Sequence, residues 1–121
     1  IAGVCYAPGL GQLWRALRGD GAYRDDRKIR VSDVAELARG TICFTDLNWY
    51  QRNDRQGSFL RLAGRAGSTR GFGDWYGFAL VAQGSIEAIA DCGLHPWDAA
   101  AVKPLVEEAG GRFTDWNDTP T

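Results

Sequence analysis

The stretch 91–111, Asp-Cys-Gly-Leu-His-Pro-Trp-Asp-Ala-Ala-Ala-Val-Lys-Pro-Leu-Val-Glu-Glu-Ala-Gly-Gly, constrains this chain more than any other. It reads as a strand end, a tight turn and a helix. Asp91 closes the apolar run 86–90, Gly93 permits a sharp turn, and Pro96 pre-sets a helical φ at the entry. Ala101, Val102, Leu105, Val106 and Ala109 then recur at helical spacing, which gives one apolar face. Gly110-Gly111 is a helix stop, and 113–116 is expected to be the strand that follows.

Asp98 falls in the first turn of that helix. A carboxylate there has two readings. One is complementation of the helix dipole and its free N–H groups, worth about 0.3–1 kcal/mol. The other is a metal ligand aimed into a cleft, where an all-oxygen environment favours Mg²⁺ or Mn²⁺ over zinc.

Upstream, the apolar run 1–7 suits a buried strand, and 12–17 alternates apolar and polar residues as the return strand of a hairpin. Ala22-Tyr23 is a short extended piece, Asp25-Asp26 a solvated turn, and 28–31 an edge strand. Ser32 is placed to cap a short helix over 33–38, and 41–45 is a β-rich central strand. The Arg-rich segment 52–65 reads as an amphipathic helix with a solvated basic face, or as a patch that draws in an anionic substrate.

The stretch 67–74, Gly-Ser-Thr-Arg-Gly-Phe-Gly-Asp, leads into a helix expected over 75–82. Small residues before a helix leave backbone N–H groups free at the positive dipole end, an anion site by construction. Asp74 is placed to cap that helix. Gly84 ends the helix and 85–90 is the strand leading back to Asp91. His95, the only histidine, has no partners at ligand spacing and is read as structural.

The 121 residues make one modest domain at most. A formal net charge of −1 implies no general attraction to nucleic acid or to an anionic membrane. Cys5, Cys43 and Cys92 form an odd set without metal-type pairing, which points to reduced thiols and a cytoplasmic protein. With no Met and an abrupt apolar start, the chain is expected to be part of a longer protein.

Trp97-Asp98-Ala99-Ala100-Ala101 followed by Glu108-Ala109-Gly110-Gly111 resembles the C-terminal signature of the inositol monophosphatase family of Mg²⁺-dependent phosphatases. Gly3-Val4-Cys5-Tyr6-Ala7-Pro8, the segment 19–23 and Ile29-Arg30-Val31-Ser32 are similar to the family's middle segment. The segment 73–84 is similar to its substrate-side helix. Gly73-Asp74-Trp75-Tyr76-Gly77 most resembles the histidinol-phosphatase branch.

The resemblance implies an α/β (α+β) fold, a layered sheet-and-helix sandwich of the inositol monophosphatase and fructose-1,6-bisphosphatase type. Residues 1–45 would close the N-terminal sheet domain, and 46–121 would be the C-terminal half that carries substrate and metal. It also implies a Mg²⁺-dependent (Mn²⁺ as the alternative) phosphomonoester hydrolase acting on histidinol phosphate in histidine biosynthesis. Inositol monophosphate, or another sugar or nucleotide phosphate, is the alternative substrate.

In that scheme Asp98 binds the ion nearer the leaving group. Arg70, Gly73, Asp74 and Asp91 contact the substrate, Asp91 standing where a longer Glu is usual and Asp74 suited to a substrate ammonium. The family's other metal carboxylates lie upstream of the segment matching Ile1 and are absent from this sequence, so the chain alone is expected to be inactive. A non-catalytic fold fragment is the reading of another class. The expected partner is a small phosphorylated substrate, with neither nucleic acid nor membrane, and family members often pair as homodimers.

Overall fold

The computed structural model describes residues 1–121. Alternation sets its first sheet. In β1 (Ala2–Ala7), Gly3 and Cys5 face inward while Val4 and Tyr6 stay exposed; in β2 (Gln12–Leu17), Trp14 and Ala16 are buried. β3 (Gly21–Arg24) and β4 (Arg27–Ile29) complete an antiparallel meander in the order β1-β2-β3-β4. Asp25-Asp26 is the turn between the last two strands. Asp25 adopts φ +53°, and its carboxylate accepts the N–H of Leu13.

The second sheet is parallel, with β5 (Thr41–Phe44) between β6 (Ser68–Arg70) and β7 (Ala88–Ala90). Thus β5, expected within the portion 1–45, pairs with strands of the second half. The chain leaves β5 through α1 (Leu47–Arg52) and α2 (Gln56–Arg65), returns as β6, then crosses through α3 (Asp74–Ala82) to β7. A final helix, α4 (Pro96–Glu108), runs back across the antiparallel sheet.

Side-chain alternation along the parallel strands sorts the helices to opposite faces. Cys43 and Ile89 meet Leu80, Val81 and Tyr76 of α3, whereas Phe44 and Ala90 meet Tyr50, Phe59 and Trp116. The largest cluster joins Cys5, Trp14, Ala16 and Ala22 to Phe78, Ala79, Val102 and Leu105. The layers are therefore antiparallel sheet, α3 with α4, parallel sheet, and α1 with α2, an α/β sandwich as expected. α3 lies between two sheets, which is why Gly77 to Ala82 are all buried and the helix has no polar stripe. No helix is long and apolar enough to cross a membrane.

Several expectations are corrected. Segment 113–116 forms no strand. Asp115 Oδ1 accepts the N–H groups of Asn117 and Thr119, the chain turns back, and only an isolated bridge from Thr114 to Pro120 remains. Ser32 caps no helix over 33–38. Its hydroxyl accepts from Val34 N–H and donates to Glu87, and the only helical turn there is Leu37–Arg39.

The helix expected over 52–65 breaks at Asn53 to Arg55, where Asp54 takes φ +54°. Within 67–74, Ser68–Arg70 is a strand because its backbone pairs with β5. The strand expected over 85–90 is confined to β7.

Candidate functional site

In an open parallel sheet, ligands bind beyond the carboxyl ends of the strands, where successive connections leave for opposite faces. Here that point is the end of β5. The connection after β5 goes to the α1–α2 face, while those after β6 and β7 lead to α3 and α4. Three segments therefore meet at one edge: Thr45-Asp46, Gly71 to Asp74, and Asp91 to Gly93.

Asp91 is held firmly there. Its Oδ1 accepts from Gly93 N–H at 2.7 Å and from Thr45 Oγ1 at 3.3 Å. Its Oδ2 accepts no hydrogen bond from the chain and is the group open to a ligand. The backbone beneath it is clamped by three side chains. The Tyr50 hydroxyl donates to Ala90 O, Trp116 Nε1 to Asp91 O at 2.8 Å, and Asn53 Nδ2 to Cys92 O at 3.4 Å. Asp91, Cys92, Arg55, His95 and Trp116 line a groove of about 1030 Å³.

Burial raises the Cys92 thiol pKa; the Asp91 carboxylate adds to this and the Arg55 guanidinium opposes it. Burial also pushes the Tyr50 phenol well up, helped by the negative charge at Cys92 and Asp91. Cys43 and Cys5 are likewise raised by burial. No thiol is a ready nucleophile at neutral pH, and all three cysteines are unpaired.

A second, smaller concavity of about 620 Å³ lies at the other side of the β5 end, lined by Thr45, Asp46, Asn48, Phe72, Gly73 and Asp74. Asp46 caps α1 by accepting the N–H of Asn48 at 2.9 Å. Asp74 does not cap α3, contrary to one expectation. It is the first helical residue, at φ +50°, and its carboxylate accepts no hydrogen bond. Gly73 is required at its position, because a Cβ there would lie 2.5 Å from Thr45 Cγ2 and 3.3 Å from Phe44 O.

The sequence-singled residues therefore do not gather in one place. Gly73 and Asp74 belong to the smaller concavity and Asp91 to the larger groove, with Thr45 between them. Arg70 is exposed at the end of β6, lines neither, and donates to the carbonyl of Thr69. Asp98 is exposed at the mouth of α4; its Oδ2 accepts the backbone N–H of His95 at 3.1 Å, while Oδ1 is unengaged. The His95 ring stacks on Trp97, with centroids 4.8 Å apart, in keeping with a structural role.

Sequence reasoning missed Thr45, Asp46, Tyr50 and Trp116. The usable signal was the position of Thr45-Asp46 directly after a β-rich run.

The residues present do not make a divalent-cation centre by themselves, because no three His, Cys, Asp or Glu side chains converge anywhere in the chain. Asp98 can offer one free carboxylate oxygen and no more.

The profile of the inositol monophosphatase family matches residues 1–121. The histidinol-phosphatase of Chlorobaculum parvum is 41% identical over 114 residues, covering 94% of this chain and 44% of that protein. The histidinol-phosphatase of Streptomyces coelicolor is 32% identical over 125 residues, covering 99% of this chain and 47% of that protein. The structure of an inositol monophosphatase from Anabaena superposes with a TM-score of 0.88 at 33% identity, covering 99% of this chain and 49% of that one. The chain thus spans a little under half the length of the relatives it matches.

Proposed function

The chain belongs to the inositol monophosphatase family, and on that premise we propose that it is the substrate-recognising portion of a metal-dependent phosphomonoesterase whose substrate is histidinol phosphate. The observation that carries this reading is the hydrogen bond by which Thr45, in the concavity of Gly73 and Asp74, joins that concavity to Asp91 in the adjoining groove at the carboxyl edge of the parallel sheet. The identity of the similar proteins supplies the chemistry: relatives from two organisms carry the name histidinol-phosphatase.

The roles follow from the groups that are free. Asp91 Oδ2 is a fixed anionic acceptor, suited to an ammonium or hydroxyl on the leaving group. Asp74 adds a second unengaged carboxylate, in the adjoining concavity at the same sheet edge. Together they favour a leaving group that carries positive charge, which histidinol has and inositol lacks. Asp98 is proposed to lend one carboxylate to a divalent cation, Mg²⁺ or Mn²⁺, that also needs ligands from outside these 121 residues; such an ion neutralises the charge of a phosphate ester.

An inositol phosphate is the second reading, favoured by the likeness to the Anabaena structure. Assaying the complete gene product with histidinol phosphate and inositol 1-phosphate side by side, with Mg²⁺ or Mn²⁺, separates the two. Preferential release of phosphate from histidinol phosphate is expected. Preference for the inositol ester would overturn the substrate, and turnover of neither would overturn the class.

A further inference from the structure

Thr45 follows the last residue of β5, where the connections after neighbouring strands diverge to opposite faces. Its two side-chain branches reach different parts of the candidate site. The hydroxyl donates to Asp91 Oδ1 at 3.3 Å. The methyl occupies the space a side chain at residue 73 would need, so the backbone of Gly73 rests against it. Thr45 thus lines the concavity of Gly73 and Asp74 and is hydrogen-bonded to Asp91 of the neighbouring groove.

The backbone around Asp91 is held chiefly by side chains other than Thr45, although the Tyr50 hydroxyl also lies within hydrogen-bonding reach of Thr45. Tyr50, Trp116 and Asn53 engage the three successive carbonyls of Ala90, Asp91 and Cys92. What remains free is the torsion of the Asp91 side chain. Two donors set that torsion, the N–H of Gly93 and the hydroxyl of Thr45, both on Oδ1. They leave Oδ2 without a hydrogen bond from the chain.

We infer that Thr45 is a positioning residue that sets substrate preference by orienting the Asp91 carboxylate through its hydroxyl, while its methyl only seats the Gly73 loop. The inference rests on the proposed role of Asp91 as acceptor for a cationic leaving group. It makes separate demands on the two branches, so Thr45→Val, which keeps the branching and removes the hydroxyl, and Thr45→Ser, which keeps the hydroxyl and removes the methyl, give different results.

The test is the ratio of kcat/KM for histidinol phosphate to that for p-nitrophenyl phosphate, whose leaving group has no ammonium, in the complete gene product. A 3.3 Å hydroxyl–carboxylate contact is long, so the ratio is expected to fall about threefold to fivefold in Thr45→Val and to be retained in Thr45→Ser. Thr45→Ala removes the hydroxyl equally and replaces the Val variant should that fail to fold. An unchanged ratio in a hydroxyl-free variant of an active enzyme overturns the inference alone. So does an equal loss on both esters, the mark of a merely structural role, or a ratio lost equally in Thr45→Ser. A wild-type protein that hydrolyses neither ester overturns the functional reading and this inference with it.

Discussion

Gly3 of β1 lies directly under Pro104 of α4, so close that a Cβ on residue 3 would stand 2.8 Å from the proline Cγ. The same Cβ would strike the carbonyl oxygen of Ala101. Gly is therefore what lets the antiparallel sheet approach the helix that carries Asp98 at its mouth. Pro104 contributes no N–H to the helix ladder, and its ring instead fills the contact with the strand.

Gly3→Ala is expected to lower stability by about 1–3 kcal/mol, the range for overpacking a closed contact. Chemical denaturation of the variant and the wild type checks this. A midpoint unchanged from wild type would mean that α4 has room to move, and that the placement of Asp98 is not set by this contact.

The other end of α4 is pinned by Glu108. Its two carboxylate oxygens accept the N–H of Gly19, and one also accepts the N–H of Gly21, all at 3.1 Å. A carboxylate at a helix C-terminus opposes the dipole, so these amide partners are what make it tolerable. Glu108→Ala leaves the amides to find water and should cost about 1–2 kcal/mol. Amide exchange at Gly19 and Gly21 should quicken in the variant while the β5 amides keep their protection. Unaltered exchange at both glycines would remove the proposed pin.

Asp115 gives a pH dependence. Hydrogen bonds from Thr119 N–H first, then Asn117 N–H, hold its carboxyl below the ordinary aspartate range. A depressed folded-state pKa contributes stability that is present above the unfolded value and lost as pH falls through the folded one. The turn 115–119 should thus persist at pH 4 and open below the ordinary aspartate range. Titrating the Thr119 and Asn117 amide resonances checks this, with a midpoint expected below the ordinary aspartate value. A midpoint at or above that value would contradict the hydrogen-bonded turn.

The legible parts of the fold were those with local causes. The β1–β2 hairpin follows from alternation around Pro8 to Gly11, and α4 from apolar spacing bounded by Pro96 and Gly110. β6 was not legible, because Ser-Thr-Arg becomes a strand only through pairing with β5, many residues away in the chain. The break before α2 depends on the left-handed backbone of Asp54, and the loss of a strand at 113–116 on capture of two amides by Asp115; neither leaves a periodic signal.

At the site, the Trp97-to-Ala101 signature marked Asp98, and the same resemblance marked Asp91 and the Gly73 loop. Thr45 was invisible until three strands were known to be parallel, since only then does the residue after β5 sit where their connections diverge. The parting of Asp91 into a groove and Asp98 onto an exposed helix mouth is also a matter of tertiary geometry.

Asp98→Asn in the complete gene product is the most direct measurement. The amide oxygen can still accept the N–H of His95, so the helix entry is preserved while the negative charge is removed. Hydrolysis of histidinol phosphate with Mg²⁺ should fall by about 100-fold or more, the scale for removing one preorganised charge partner, with the thermal midpoint close to that of wild type. Turnover at the wild-type rate would contradict the proposed metal-binding role for this carboxylate.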